Sequence, residues 1–473
     1  MTPLIAVLCA ALSGAAFYFS CGLGGSVATT PGLLWAVALI APVPVLWFAF
    51  RSQRSGVVFL TAFAAMAIGM ANLLPAYAGV MPLPVLVMAM ATPALGFAGA
   101  VIGARFVANR LAPISGVIAF AALWTGFDYL LSQGPNGAAS SPAYSQLTLP
   151  WMIQGASVFG IWIITAVMGL VAAALAMGLA RRQAAYALFA VAVLALNLGY
   201  GQWRIANAPK GEIVRVGLAG DDALIGAGLK DDEASALAVA KAYAAAGRSL
   251  AQQGATLIVF PEKIAVLRPA WMSAFHMEFE TSAHSSHALV VVGVDTRYAQ
   301  RQNNALLYFA DGAAPQIYSK RRLVPGLERA FVPGTASLMV SDRTGVAICK
   351  DMDFPAMLRG DALLGPNLYA VPAWDFDADA AWHARLAIMR GVENGFAVAR
   401  AANDGLLTLS DAYGRVLAVK KTADGGMVTL RGDIPRGPGK TLYAGIGDSL
   451  AYLCMALSVL LLGVAALAKR RTV

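Results

Sequence analysis

The chain has 473 residues, of which 58% are hydrophobic and 13% are charged, and its formal net charge is +9. Soluble globular domains are nearer to about 25% charged, so this composition excludes a chain that is soluble along its whole length. The charges are unevenly placed: residues 1–209 contain one acidic residue, Asp128, no lysine and seven arginines, whereas residues 210–445 have a globular composition. The positive charge does not indicate nucleic-acid binding, because no basic stripe interleaved with aromatic residues occurs in the globular part.

Apolar runs of about 20 residues, long enough to cross a bilayer as helices, dominate the first part of the chain. We predict eight spans, at residues 4–22, 31–50, 56–74, 81–103, 114–131, 153–179, 184–201 and 446–467. The first run lacks a basic amino-terminal region and is followed by further spans, so we interpret it as a helix and not as a cleaved signal peptide. The predicted organisation is a membrane domain of about seven helices at 1–209, a globular domain at 210–445, and a last helix with a short tail at 446–473.

Basic residues occur in alternate loops between these spans. The clusters are Arg51 with Arg54, Arg105 with Arg110, Arg181 with Arg182, and Lys469–Arg471 after the last span. If the chain crosses the membrane eight times, all four clusters lie on the same side of the membrane. The positive-inside rule predicts that this side is the cytoplasmic one. The loops 23–30, 75–80 and 132–152 and the whole globular domain then fall outside. A transporter or an ion relay is disfavoured, because such proteins need charges inside the membrane and Asp128 alone interrupts its apolar surroundings.

The globular part shows strand patterns that alternate with helices and are followed by hairpin-like pairs. We predict strands at 212–220, 256–260, 288–298, 304–311, 315–320, 344–350, 368–374, 396–403, 405–411, 416–421 and 426–433, and helices at 232–253 and about 378–395. This order of elements predicts a layered α/β sandwich.

Three polar residues end or follow predicted strands of this domain. Glu262 follows one strand, Lys320 ends a second, and Cys349 ends a third. Catalytic groups converge at strand ends in α/β proteins. A carboxylate can act as general base, an ammonium can stabilise an oxyanion, and a thiol can form a thioester. A salt bridge beside a core cysteine is the competing interpretation, and the spacing alone does not exclude it.

A metal or disulfide site is not predicted. Cys9, Cys21 and Cys454 lie in or beside apolar spans, which leaves one cysteine in the globular domain. The four histidines are His276, His284, His287 and His383, and none ends a predicted strand. His284 and His287 have ligand-like spacing, but no cysteine or carboxylate cluster joins them.

At this point the sequence resembles a known family. VFPE (259–262), YSKRRLVPGLE (318–328) and ICKDMDFP (348–355) resemble three signature blocks of the nitrilase superfamily. The membrane spans narrow the resemblance to the bacterial apolipoprotein N-acyltransferases. Further matching positions are Tyr144, Ser145, Gln146, Gln154, Gly160, Ala373, Trp374, His383, Arg390, Glu393, Thr441, Tyr443, Gly447 and Asp448.

The resemblance implies an α-β-β-α sandwich that carries a Glu262, Lys320 and Cys349 triad, with Glu328 as a second essential glutamate. It implies that an acyl chain passes from a phospholipid to a Cys349 thioester and then to the α-amine of an apolipoprotein's diacylglyceryl-cysteine. No cofactor is implied, and the location is the bacterial inner membrane with the catalytic domain in the periplasm. The residues expected to shape the site are Asp351, Lys350, Trp374, His383, Arg390, Glu393, Tyr144 and Gln146.

The sequence departs from the family beside the nucleophile. Cys349-Lys350-Asp351 replaces the usual Cys-Tyr-Glu, and we expect Lys350 to favour the thiolate. Lys263 follows the general-base glutamate where a small or polar residue is usual. These departures keep open a divergent membrane N-acyltransferase or amidase acting on another amine, lipid or secreted metabolite. A non-catalytic scaffold is disfavoured, because Glu262, Lys320, Glu328 and Cys349 are all retained.

Overall fold

The computed structural model describes residues 2–21, 27, 32–340, 342–422 and 425–468. The chain divides into two compact units, of which one contains Pro209–Gly445 and the other contains the apolar helices that precede and follow it. We call them the globular unit and the membrane unit. The predicted basic cluster Lys469–Arg471 and most of the predicted loop 23–30 lie outside the described residues.

The membrane unit is helical. Its first eleven helices are α1 (Pro3–Ser20), α2 (Leu34–Ile40), α3 (Val43–Arg51), α4 (Ser55–Met70), α5 (Leu73–Tyr77), α6 (Leu83–Arg110), α7 (Pro113–Ser132), α8 (Pro150–Ile153), α9 (Ala156–Phe159), α10 (Trp162–Arg181) and α11 (Ala184–Ala206). A 3₁₀ helix, Pro142–Thr148, precedes α8. The sequence continues after the globular unit into the last membrane helix, which is given below.

Seven segments of the described chain are long and apolar enough to cross a membrane, counting α2 with α3 as one segment and including the last helix. The remaining predicted span, at 56–74, corresponds to α4, an apolar helix of 16 residues. The predicted span at 153–179 is shorter in the structure, because Gly160 has a φ of +68° and ends α9 before α10 begins. Glycine adopts this left-handed backbone without the steric cost that other residues meet.

Two arginines of the membrane unit tie its helix ends together. The Arg105 guanidinium donates to the Ser52 carbonyl oxygen at 2.9 Å and to Ser55 Oγ at 2.9 Å. Arg110 Nη1 donates to the Ala468 carbonyl oxygen, at the end of the last helix, at 3.2 Å. The α3–α4 loop, the end of α6 and the end of the last helix therefore lie at one end of the unit, as an even number of crossings requires.

Asp128 is buried within the membrane unit on α7. Its Oδ2 accepts hydrogen bonds from Ser141 Oγ and Thr165 Oγ1, both at 2.7 Å. Hydrogen bonding of this kind reduces the cost of burying a polar group away from water.

The globular unit contains thirteen strands among its described residues. They are β1 (Ile213–Gly220), β2 (Leu257–Val259), β3 (Val266–Leu267), β4 (Leu289–Arg297), β5 (Arg301–Tyr308), β6 (Gln316–Ser319), β7 (Leu338–Met339), β8 (Thr344–Val346), β9 (Leu368–Trp374), β10 (Ala397–Asn403), β11 (Leu406–Ser410), β12 (Val416–Lys421) and β13 (Val428–Pro435). The remaining helices are α12 (Ile225–Gly228), α13 (Glu233–Gln252), α14 (Pro269–Ser286), α15 (Pro355–Ala362), α16 (Ala380–Asn394), α17 (Leu442–Ile446) and the membrane helix α18 (Ser449–Leu467).

Two sheets form the centre of the globular unit. The first has the order β13-β1-β2-β4-β5-β6, with β3 beside β4, and the second has the order β12-β11-β10-β9-β8-β7. A core of buried aliphatic residues from both sheets fills the space between them. Further cores join the first sheet to α13 and α14, and the second sheet to α15 and α16. The fold is therefore the α-β-β-α sandwich that the resemblance implied.

Most predicted strands are present, and two, 368–374 and 416–421, have the predicted bounds. The 18-residue helix α14 was not predicted. The predicted strand at 344–350 was too long: β8 ends at Val346, and a 3₁₀ helix begins at Cys349. The nucleophile candidate thus lies in a turn and not at the end of an extended strand.

Candidate active site

The parallel strands of the two sheets end near the candidate residues. β1, β2 and β4 are parallel in the first sheet, and β8, β9 and β10 are parallel in the second. Glu262 follows β2, and Cys349 follows β8. The Glu262 N–H donates to the Ala373 carbonyl oxygen of β9 at 3.1 Å, which links the sheets at the site. Gly293 on β4 permits this approach, because a Cβ there would collide with the backbone at Glu262.

Charged side chains gather around Glu262 in what we call the carboxylate–ammonium cluster. Lys320 Nζ lies 2.8 Å from Glu262 Oε1 and 2.9 Å from Glu328 Oε2. Lys263 Nζ lies 3.0 Å from Glu328 Oε1. The Asn303 side-chain amide donates to Glu262 Oε1 and, at 3.0 Å, to Glu328 Oε1. The cluster therefore consists of two carboxylates, two ammonium groups and one amide that connects the carboxylates.

The charges of Lys320 and Glu328 hold each other in the ionised form. Burial favours the neutral amine of Lys320, but the negative charges of Glu262 and Glu328 raise its pKa above the usual value. Burial likewise favours a neutral Glu328, but Lys320 and Lys263 lower its pKa to about 2. An ammonium group fixed between two carboxylates is ready to stabilise an oxyanion that develops close by.

Cys349 is a strained and nearly buried residue. Its φ is +42°, in the left-handed region that L-residues adopt only at a cost, and 9% of the residue is exposed. Burial raises the pKa of the thiol well above its usual value, and the negative charge of Glu262 raises it further, while Lys320 opposes the shift. The thiol donates to the Trp374 carbonyl oxygen, with Sγ at 3.5 Å. The resting nucleophile is thus a protonated thiol, which requires a base to become reactive.

Asp351 organises the turn that carries Cys349. One carboxylate oxygen accepts from the Ile348 N–H at 3.0 Å and from the Tyr318 hydroxyl at 2.7 Å. The other accepts from the N–H groups of Arg321 and Arg322 at 3.1 and 2.8 Å. Asp351 therefore uses its full hydrogen-bonding capacity, and it ties the nucleophile turn to the segment that follows Lys320.

Lys350 lies in a second group of charges, which we call the Lys350–His383 cluster. Lys350 Nζ lies 3.3 Å from Asp353 Oδ2, and His383 Nε2 lies 3.2 Å from Asp379 Oδ2. Burial alone would lower the pKa of His383, but Asp379 and Asp353 raise it to about 9. The expectation that Lys350 favours the Cys349 thiolate is wrong for the resting site: its ammonium is paired with Asp353, and the pKa of the thiol is raised.

Further residues at the site were not identified from the sequence. Asn303 was not singled out, since it lies directly before the predicted strand at 304–311, although it bonds both glutamates of the first cluster. Arg400 pairs with Asp375 through two buried hydrogen bonds, and both charges act on the Cys349 thiol. Asp404 was not singled out either, and it accepts a hydrogen bond of 2.8 Å from the indole of Trp374, a residue that the resemblance had suggested. A charged residue inside an otherwise apolar strand was the available signal for Arg400, whereas Asn303 lies in the polar run RQNN at the start of β5 and gave no such signal.

Four further residues that the resemblance suggested lie in helices of the two units. Arg390 and Glu393 form an ion pair of 2.9 Å inside α16, where both are fully buried. Tyr144 and Gln146 lie in the 3₁₀ helix of the membrane unit, where Gln146 donates to the Trp35 carbonyl oxygen at 3.1 Å. Within the described residues, no group of three or more His, Cys, Asp or Glu side chains is arranged to hold a metal ion.

Both units of the chain are similar to known proteins. Residues 21–174 match the family model described as the apolipoprotein N-acyltransferase N-terminal domain, and residues 223–428 match that of carbon-nitrogen hydrolase. The chain is 24% identical to an apolipoprotein N-acyltransferase of Geobacter metallireducens, over 94% of this chain and 95% of the relative. It is 28% identical to another of Pseudomonas paraeruginosa, over 72% of each chain. A solved amidase from Nesterenkonia sp. is similar at 20% identity and a TM-score of 0.39, over 52% of this chain and 98% of the amidase.

The α-β-β-α sandwich and the two family models define a membrane-anchored enzyme of the nitrilase superfamily. Within that superfamily the chain is similar to apolipoprotein N-acyltransferases along most of its length, and it is an acyltransferase. Its apolar helices make it a multi-pass membrane protein.

Proposed function

We propose that the protein transfers an acyl chain from a membrane phospholipid, through a thioester on Cys349, to the α-amine of the diacylglyceryl-cysteine of an apolipoprotein. The single observation that carries the chemistry is the buried group of Glu262, Lys320 and Glu328, in which the charges of Glu262 and Lys320 act on a strained, protonated Cys349. The names of the relatives supply the acceptor, and the apolar helices give access to a lipid donor.

The first half-reaction forms the thioester. Glu262 removes the proton from the Cys349 thiol as Sγ attacks the carbonyl carbon of the lipid ester. Lys320 stabilises the oxyanion that develops on the carbonyl oxygen. When the tetrahedral intermediate collapses, the carbon–oxygen bond breaks and protonated Glu262 returns the proton to the departing lysophospholipid oxygen.

The second half-reaction forms the amide. A neutral amine attacks the thioester carbonyl, and Glu262 takes a proton from the attacking nitrogen. The carbon–sulfur bond breaks, and Glu262 gives the proton to the departing sulfur, which restores the thiol. The reaction consumes no cofactor, because each proton that leaves one substrate group is returned to another through Glu262.

The distribution of arginines supports a location for the enzyme. The α3–α4 loop and the ends of α6 and α18 share one end of the membrane unit, and the arginines of these loops favour the cytoplasmic side. We therefore place the globular unit on the periplasmic side of the bacterial inner membrane. A cysteine introduced into the exposed β12 strand would be labelled in intact spheroplasts by a membrane-impermeant maleimide if this orientation is right, and would stay unlabelled if it is reversed.

The decisive test of the chemistry is the intact mass of the purified protein after incubation with phospholipid and no amine. We expect an added acyl mass that maps to Cys349 and is released by hydroxylamine. The matched control is Cys349→Ala, which removes the sulfur from the same turn and should gain no mass. Acyl transfer by the Cys349→Ala protein would contradict the mechanism, and a folded wild type that gains no mass would contradict phospholipid as donor.

A different acceptor is the second candidate. It is favoured by the two cations, Lys263 and Lys350, that stand where the family has other residues, because both lie beside the residues that would contact an acceptor. An acyl-enzyme that forms from phospholipid but does not react with a diacylglyceryl-cysteine peptide would favour this candidate.

A further inference from the structure

Lys263 is a cation of the site to which the proposed mechanism gives no role. Its Nζ lies 3.0 Å from Glu328 Oε1 and 3.5 Å from Glu262 Oε1. The same nitrogen lies over the rings of Trp374 and Phe331, at 5.2 and 5.7 Å from their centroids. Carboxylates combined with aromatic faces are what proteins use to bind an organic ammonium. The subsite next to the nucleophile is therefore already occupied by an ammonium group, which is that of Lys263.

The backbone holds Lys263 in this place at a cost. Its φ is +53°, although the residue is not glycine, and the next N–H is fixed by a 2.9 Å hydrogen bond from Ile264 to the Gly293 carbonyl oxygen. Such backbone strain costs of the order of 1–3 kcal/mol and concentrates at functional sites.

Lys263 is also the member of its cluster that solvent reaches. Its side chain is 16% exposed, whereas those of Glu262, Lys320 and Glu328 are 1–2% exposed. Trp374 connects Lys263 to the nucleophile. The Lys263 ammonium lies over the ring of Trp374, and the backbone carbonyl oxygen of Trp374 accepts a hydrogen bond from the Cys349 thiol. A molecule that approaches Cys349 past Trp374 therefore meets the positive charge of Lys263 first.

We propose that Lys263 is a specificity-determining residue that repels protonated amines and admits the acceptor as a neutral amine. This inference rests on the proposed function. An α-amino group has a pKa of about 7.7–8.0 and a lysine side chain one of about 10.4, so far more of an α-amine is neutral near pH 7.5. A fixed cation at the approach therefore selects free α-amines over lysine side chains.

The first test measures whether a cationic or an anionic reagent modifies Cys349 faster, and it uses no acyl substrate. Full-length protein in detergent is treated with methanethiosulfonates carrying an aminoethyl cation or a sulfonatoethyl anion, and modification of Cys349 is followed by peptide mass. Lys263→Met should raise the cation-to-anion rate ratio about tenfold, because one unit charge at this range is only partly screened. Lys263→Arg keeps the charge and should retain the wild-type ratio.

An unchanged ratio in Lys263→Met would overturn the proposal, and so would an equal change in Lys263→Arg. A Cys349 that reacts with neither reagent would overturn it as well, because the proposal requires an open polar approach. None of these outcomes depends on a lipid donor, so the proposed function would stand or fall separately.

The second test measures amine selection. Acyl-enzyme is mixed with two peptides, one with a free amino terminus and no lysine, the other with an acetylated terminus and one lysine. Wild type should acylate the first peptide, and Lys263→Met should increase relative transfer to the second about tenfold or more. The same preference in both proteins would contradict the proposal, whereas the absence of any acyl-enzyme in the wild type would instead contradict the proposed function.

Discussion

The two charged clusters beside Cys349 have similar compositions and different behaviour. The carboxylate–ammonium cluster and the Lys350–His383 cluster each contain two carboxylates and two basic groups. In the first, Asn303 and both lysines bond the carboxylates, and the pKa of Glu328 is lowered to about 2. In the second, Asp353 Oδ1 has no hydrogen-bond partner, and one of the basic groups is a histidine with a pKa of about 9. Glu328 of the first cluster therefore stays ionised at any pH well above its pKa of about 2, whereas His383 of the second cluster loses its proton as the pH passes its pKa of about 9.

The largest expected difference between the clusters is in catalysis. Glu262→Gln removes the group that accepts the thiol proton, and we expect acyl-enzyme formation to slow by about 10²–10⁴-fold with the fold retained. The rate is measured as the acyl mass gained per unit time with phospholipid alone. A normal rate of acylation in this variant would remove Glu262 as the base.

The control for Glu262→Gln is a double variant of the Lys350–His383 cluster. Lys350→Met combined with Asp353→Asn removes an ion pair of 3.3 Å as a unit, so no buried charge is left alone. We expect this double variant to form acyl-enzyme within about tenfold of the wild type, because neither residue has a proton-transfer role. A loss as large as that of Glu262→Gln would show that the two clusters act together.

The second cluster should contribute stability that depends on pH. The folded-state pKa of His383 is about 9, above the value of about 6.5 expected in an unfolded chain. Its contribution is therefore complete below about pH 6.5 and is lost as the pH rises through 9, and we expect it to be about 1–3 kcal/mol. The unfolding temperatures of wild type and His383→Gln should differ at pH 6 and converge at pH 10. A difference of equal size at both pH values would show that the charge of His383 is not responsible.

The smallest effect concerns the strained turn. With a φ of +42° at Cys349, glycine should fit better than alanine, although both abolish the nucleophile. We expect Cys349→Gly to unfold a few degrees above Cys349→Ala, which corresponds to about 0.5–1 kcal/mol. The matched control is Ala347, which is not in the left-handed region, so Ala347→Gly should lower the unfolding temperature. Equal stability of the two Cys349 variants would argue against strain at the nucleophile.

The sequence predicted the strands well, because apolar β-branched runs bounded by polar residues are strong local signals. The helix α14 was missed, since its buried residues, such as Phe275 and Phe279, are interleaved with histidines and glutamates that obscure the helical period. The end of β8 was misplaced because residues 346–349, VAIC, are all apolar, and the hydrogen bonds by which Asp351 holds the turn at Cys349 cannot be seen in the sequence.

At the candidate site, sequence position alone pointed to Glu262, Lys320 and Cys349, because each follows a strand. The contacts of Asn303 and Lys263 could not be predicted in this way. They depend on which strands are neighbours in the first sheet and on how Trp374, from the second sheet, lies over Lys263. The pairing of Lys350 with Asp353 was equally hidden, since a sequence does not show which of several nearby acids a lysine selects.

The candidate base and the candidate nucleophile are attached to different sheets, and one hydrogen bond from Glu262 to Ala373 crosses between them. The aliphatic core between the sheets therefore sets the distance over which a proton must move. A substitution in that core, far from any charged group, would change reactivity by sliding one sheet against the other before it unfolds the domain. The turnover rate would then report how tightly the two sheets are packed against each other.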